Sequence, residues 1–189
     1  MNRLKLVPLL LAASLGLAAC ATTNEATGML APDAPRALPA QGPVNVAWAD
    51  PASFSELRYS ANHWAATQGK WLQDLAGYMR KEAEKQLPAG HRLDMTIVDI
   101  QRAGRYEPWH GPRMQDARIV RDIYPPRMTV QFRHLDAAGN LVAEGERKIS
   151  DPAFLTGASP ISESDPLRYE KRMVDSWLRR EFRDQTASR

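Results

Sequence analysis

Met128-Thr129-Val130-Gln131-Phe132-Arg133-His134, the break Asp136-Ala137-Ala138-Gly139 and the run Leu141-Val142-Ala143-Glu144-Gly145 together decide the fold class. Side chains on an extended chain alternate between faces, so Met128, Val130, Phe132 and His134 share one face, and Leu141, Ala143 and Gly145 share one face of the next run. An acid, two alanines and a glycine between two such runs is a turn signal, and the whole reads as an antiparallel hairpin. Matching the apolar faces sets Phe132 opposite Ala143 and Gln131 opposite Glu144.

Upstream, Leu93, Met95 and Ile97 alternate on one face before the apolar phase moves to Val98 and Ile100, which a bulge near Ile97 or Val98 explains. Val44–Trp48 alternates weakly as a first strand, closed by Asp50-Pro51. Between these strands Trp71, Leu72, Leu75, Ala76, Met79, Ala83 and Leu87 fall within one half of a helical wheel, opposite Gln73, Lys81 and Glu84. The spacing predicts a helix over 71–87, stopped by Pro88 and Gly90, while Gly69 weakens any extension back toward Trp64. A last helix opens with Asp165 as N-cap and Pro166 at its first position, and buries Met173, Val174, Trp177, Leu178 and Phe182. Strand, helix, several strands, helix is the order of an α+β domain. The arrangement that buries both stripes is a mainly antiparallel sheet of about four to five strands with two amphipathic helices packed on one face.

The N-terminus says where the chain goes. Arg3 and Lys5 precede an apolar run over 6–17, and Leu17-Ala18-Ala19-Cys20 then reads as a lipobox around the only cysteine. Twelve helical residues cover roughly 18 Å against about 30 Å of hydrocarbon, too little for a membrane span. The expectation is a signal peptide over 1–19 that is removed, with Cys20 acylated as a membrane anchor. Ala21 stands where an aspartate would retain a lipoprotein at the inner membrane, so resemblance to that sorting rule implies the outer membrane, facing the periplasm. Residues 20–42, rich in Ala, Thr and Pro, read as a flexible tether averaging about 26 Å end to end, and 43–189 as a single domain. Losing Arg3 and Lys5 removes two cations and no acid, so the formal charge falls from +3 to +1 and gives no reason to expect nucleic acid as a partner.

Seven arginines, at 102, 105, 113, 118, 121, 127 and 133, face only Glu107, Asp116 and Asp122 in the same stretch. Guanidinium groups so placed could grip a carboxylate or phosphate, or they could flank strands and pair with acids from elsewhere. Gly104-Arg105-Tyr106-Glu107-Pro108-Trp109-His110-Gly111-Pro112-Arg113 is long and aromatic for a connection, and is either a recognition loop or an Ω-type loop with Trp109 tucked back. The candidate ligand or partner residues are therefore Arg105, Trp109, His110, Arg118, Arg121, Asp122, Tyr124 and Arg127. Glu170 and Glu181 project toward the buried side of the last helix, where Glu170 either meets an arginine, stays wet at the rim, or complements the helix dipole. His63, His91, His110 and His134 lack metal-ligand spacing, and His134 reads as a structural imidazole. Gly157-Ala158-Ser159-Pro160 is not a nucleophile elbow, so Ser159 reads as loop. No catalytic residue, metal site or cofactor is called for.

Arg118-Ile119-Val120-Arg121-Asp122-Ile123-Tyr124-Pro125-Pro126-Arg127 and Asp165-Pro166-Leu167-Arg168-Tyr169-Glu170-Lys171-Arg172-Met173 carry a resemblance, together with Asp151-Pro152-Ala153-Phe154-Leu155 and Trp48-Ala49-Asp50-Pro51. With these motifs the chain resembles the bacterial family catalogued as domain of unknown function 3016. The resemblance implies an exported or lipid-anchored protein and lends no catalytic residue. The expectation is a non-enzymatic envelope domain that binds an envelope protein or an anionic envelope component, with the membrane contacted through Cys20. The alternative is a cell-envelope hydrolase or transferase whose site converges from distant positions.

Overall fold

The computed structural model describes residues 28–31, 33–156 and 160–187; the expected signal peptide, Cys20 and Ser159 lie outside them. β5 (Arg127–Leu135) and β6 (Leu141–Ser150) pair antiparallel, but two residues away from the expected register: Phe132 faces Gly145 and Gln131 faces Glu146. Both residues of the difference have a local cause. The Asp136 carboxylate accepts hydrogen bonds from the Ala138 and Asn140 amides and from Asn140 Nδ2, at 2.9, 2.8 and 3.0 Å, which stretches the connection to residues 136–140. Val142 is then left over between the pairs His134–Ala143 and Leu135–Leu141, as a bulge that turns Leu141 outward. A shift of two preserves the faces. Gly145 leaves room beside Phe132, and the Arg147 guanidinium lies 4.8 Å over that ring.

β2 (Arg92–Gln101) pairs antiparallel with β5, and its register skips Val98, where the change of apolar phase places a bulge. β1 (Val44–Trp48) lies parallel to β2, from Val44 against Leu93 to Trp48 against Ile97. The sheet order is β1-β2-β5-β6, and the parallel pair makes it mixed. Parallel neighbours need a crossover, supplied by α1 (Ser55–Arg58), α2 (His63–Thr67) and α3 (Trp71–Glu84). Gly69, at φ +78°, separates α2 from α3. α3 ends a turn before Leu87, whose amide donates to the Ala83 carbonyl at 3.0 Å.

α4 (Arg168–Ala187) begins two residues later than the sequence suggests: Pro166 and Leu167 lie in a preceding turn, where Asp165 Oδ1 accepts from the Leu167 amide at 2.8 Å, so Pro166 is not its first helical residue. α3 and α4 cover one face of the sheet: Leu75, Ala76, Met79, Val174 and Leu178 are buried there with Val46, Met95, Ile97 and Val130. Tyr78 ties the two helices by donating to Asp175 at 2.9 Å; burial and this bond push the phenol up, and burial pushes the Asp175 carboxyl up. The other sheet face is polar, with Asn45, Asp94, Gln131, Glu146 and Lys148 exposed. His134 is a core imidazole, hydrogen-bonded through Nε2 to His91 Nδ1 at 2.9 Å, so one ring must offer a neutral accepting nitrogen.

Much of the stretch that composition reads as tether is docked. Arg36 O accepts from the Trp48 amide at 2.8 Å, the Leu38 amide donates to Val46 O at 2.9 Å, and Met29 is buried. An edge strand presents unpaired backbone groups, and the chain around Ala37 satisfies those of β1.

Candidate functional site

Past the end of β2 the chain turns through Arg102-Ala103-Gly104 into a second, two-stranded ladder of β3 (Arg105–Tyr106) and β4 (Arg118–Ile119). Gly104 makes the turn possible: its φ is +77°, and a Cβ there would stand 2.7 Å from the Ile119 carbonyl oxygen. α1 abuts this corner because the Asp99 carboxylate accepts from the Ser55 amide and hydroxyl at 2.6 and 2.7 Å.

Three buried glutamates organise the corner. Glu56 accepts from the Arg102 amide at 2.9 Å, from Arg102 Nε and Nη2 at 3.1 and 2.9 Å, and from Arg118 Nη2. The two guanidinium groups also stack, Arg102 at 4.4 Å over Trp71 and Arg118 at 4.7 Å over Tyr106. Glu107 binds the Tyr124 hydroxyl, His110 Nε2 and Arg121 Nη2, each at 2.8 Å. Burial acts to raise its pKa, but the hydrogen bonds from Tyr124 and His110 and the charges of Arg121 and His110 outweigh it, so the carboxyl is held below its ordinary value. Tyr124 shifts up in return, through its bond to that carboxylate and through burial.

Glu170, on α4, accepts from the Ala103 amide at 2.7 Å through Oε1, while Oε2 is buried without a hydrogen-bond partner among the described residues. Burial raises its pKa, and the nearby charges of Arg102 and Arg118 offset only part of that. A carboxyl raised by folding stabilises the native state fully below its unfolded pKa, and this contribution is lost as the pH rises through the folded value. Glu170→Gln should therefore be more stable than the parent at neutral pH, with the gain shrinking to nothing below the ordinary carboxylate range. Urea midpoints taken across that range check it, and a gain that grew on acidification would refute the assignment.

Above these acids lies a cavity of about 120 Å³, lined in part by Tyr59, Ser60, Gln101, Arg105, Trp109 and Tyr124. An apolar cavity of about 150 Å³ accepts benzene; this one is smaller and opens to solvent, so it suits a small group or the edge of a ring. Trp109 is 70% exposed and Tyr59 62%. Trp109 is thus not tucked back. The Arg105 guanidinium lies 5.4 Å over the Tyr124 ring and has no carboxylate partner among the described residues.

The fold brings together Arg105, Trp109, His110, Arg118, Arg121 and Tyr124, but in two roles. Arg118 and Arg121 are counter-ions of buried glutamates, and His110 is committed to Glu107. Arg105 and Trp109 face outward. Asp122 stands apart, exposed, its carboxylate accepting from the neighbouring Ile123 amide at 2.9 Å. Arg127 lies elsewhere too, in a more open cleft of about 320 Å³ beside Asp99, Lys148 and Ser150. Glu181 bonds to Arg147 Nε and Nη2, both at 2.9 Å. Sequence reasoning missed Glu56, on an α1 too short to show a period, together with Tyr59 and Ser60 just after it and Gln101 at the end of β2; for Glu56 the signal was the arginine excess itself, which called for acids from outside its stretch. Among the described residues no group of His, Cys, Asp and Glu could hold a metal ion, and no helix is long and apolar enough to cross a membrane.

No curated protein matches the chain. A similar solved structure is that of a protein from Caulobacter crescentus CB15 inferred to be a lipoprotein; it is 17% identical, with 60% of this chain and 81% of that one covered and a TM-score of 0.34. The family described as "Protein of unknown function (DUF3016)" matches residues 42–180, from the approach to β1 into α4, and the chain belongs to it.

Proposed function

We propose that this protein is a lipid-anchored component of the bacterial envelope, held in the outer membrane through Cys20 and facing the periplasm, whose single domain binds an anionic envelope component and catalyses no reaction. The observation that carries the binding role is the pairing of exposed Trp109 and Tyr59 around the cavity with Arg105, a guanidinium that no acid among the described residues engages. Large exposed aromatic area beside an unpaired guanidinium is typical of a recognition surface. The acids and the Ser55 hydroxyl near the cavity are already engaged: Glu56 and Glu107 by guanidinium groups, Ser55 by Asp99.

Cys20→Ser should release the processed chain as a soluble species or leave the signal uncut, read by fractionation after a high-salt wash. A cleaved Cys20→Ser chain that stayed with the membrane would refute the anchor. A photoreactive side chain at position 109 should form adducts with envelope material in cells. An acylated protein free of such adducts would refute the binding face.

A further inference from the structure

We infer that the end of the domain bearing Tyr59, Trp64, Trp109 and Ile123 lies against the anionic phospholipid surface in which the chain is anchored; the inference rests on the lipid anchor at Cys20. Five of the seven large apolar side chains exposed among the described residues, Tyr59, Trp64, Trp109, Met114 and Ile123, fall in two segments, 59–64 and 109–123. Those segments touch: Asn62 Nδ2 donates to the Gln115 carbonyl at 3.0 Å and to Asp116 Oδ1 at 2.7 Å, and Tyr59 and Trp109 line one cavity. They form one patch rather than scattered exposures. Arg58, Arg105 and Arg113 are exposed in or beside the same segments, without a carboxylate partner among the described residues. Tryptophan and tyrosine with arginine is the mixture that settles at a bilayer's headgroup layer, where rings sit among the acyl chain ends and guanidinium groups meet phosphates.

The path of the chain points the same way. Residues 36–38 run antiparallel to β1, so the chain before them lies toward the end where β1 finishes. Arg36 pins it there, through Nη1 to the Met29 carbonyl at 3.2 Å and through Nη2 to Asp50 at 3.1 Å. Asp50 opens the turn that leads into α1 and Tyr59. The chain thus enters the domain at the end that carries the patch. Cys20 precedes Gly28 by eight residues, which even fully extended span at most about 29 Å. The end by which the domain hangs is the end kept nearest the bilayer.

Tryptophan emission tests this directly. Trp48, Trp71 and Trp177 are buried, so a quencher outside the protein reaches only Trp64 and Trp109. The mature acylated protein is reconstituted in vesicles of phosphatidylethanolamine and phosphatidylglycerol with brominated acyl chains. Bromine should lower the emission relative to unbrominated vesicles, and aqueous iodide should lose access. The bromine effect should vanish in a Trp64→Phe, Trp109→Phe variant and weaken in Arg58→Glu, Arg105→Glu, Arg113→Glu, with near-ultraviolet circular dichroism from the buried tryptophans confirming that each variant is folded. Protein that floats with the vesicles yet is quenched by iodide alone would overturn the inference, leaving the patch to a soluble ligand or a protein. Equal bromine quenching in pure phosphatidylcholine would overturn the preference for an anionic surface. Failure to float would refute the anchor itself, and is seen before any fluorescence is read.

Discussion

Replacing Arg102 and Arg118 together by alanine should cost about 3 to 5 kcal/mol of folding stability, because it leaves a buried carboxylate without its counter-ions. Glu56 is only 3% exposed at its side chain, and the two guanidinium groups are themselves 13% and 20% exposed, so solvent cannot take over their role. Either single replacement should cost less, since one guanidinium remains. Adding Glu56→Gln to the double variant should recover much of the loss, as the neutral amide can still accept from the Arg102 backbone N–H. Recovery will be partial, because stacking on Trp71 and Tyr106 and the Arg118 bond to the Gly104 carbonyl are lost as well. Urea midpoints separate the two contributions. If the triple variant were no more stable than the double, the arginines would act through packing and the buried charge would be irrelevant.

Such coupling explains why the site was harder to read than the fold. α3, α4 and the β5–β6 hairpin announce themselves, because each carries enough apolar side chains at one period for a face to emerge, and the phase change after Ile97 marked a bulge without any neighbour being known. The hairpin register was not legible, since a slip of two residues keeps the same face inward and only the Asp136 side-chain bonds and the Val142 bulge distinguish the alternatives. Nor was the parallel pairing of β1, whose partner lies 49 positions away from Val44 at Leu93. Pro35 and Pro39 suggested a coil, yet an edge tolerates proline, and the open edge of β1 draws in the chain around Ala37.

At the corner the chemistry is set by non-local partners. The local charge count around Arg102 to Arg133 showed an excess, and one of the acids that balances it, Glu56, sits on a four-residue helix with no sequence signature. Glu170 resolves differently from the arginine contact weighed for it. Its direct partner is the Ala103 amide, so adjacent backbone amides at 102 and 103 are claimed by two buried glutamates from distant parts of the chain, one before and one after β2. That double claim fixes where β2 stops and β3 leaves, and thereby holds Arg105 and Trp109 outward.

Leu75→Ala should destabilise the domain by about 2 to 5 kcal/mol, through the lost transfer of the side chain from water and the cavity left behind. Leu75 is fully buried at the centre of the apolar arc of α3, whose neighbours on that face, Leu72, Ala76 and Met79, are equally closed off from solvent. α3 packs against β1 and α4, so relaxation into the gap would have to move either a strand held on both edges or a helix pinned by Tyr78 and Asp175. Ile123→Ala is the contrasting case: at 65% exposure its side chain buries little against the fold, and the change should stay within about 0.5 kcal/mol. Urea unfolding of both variants checks the pair. An unchanged Leu75→Ala would mean that α3 does not seal the core, whereas a large loss in Ile123→Ala would mean that the exposed patch is held by the fold itself. The expected outcome places the two apolar surfaces on different footings, one consumed in folding and the other left over for what the domain meets outside.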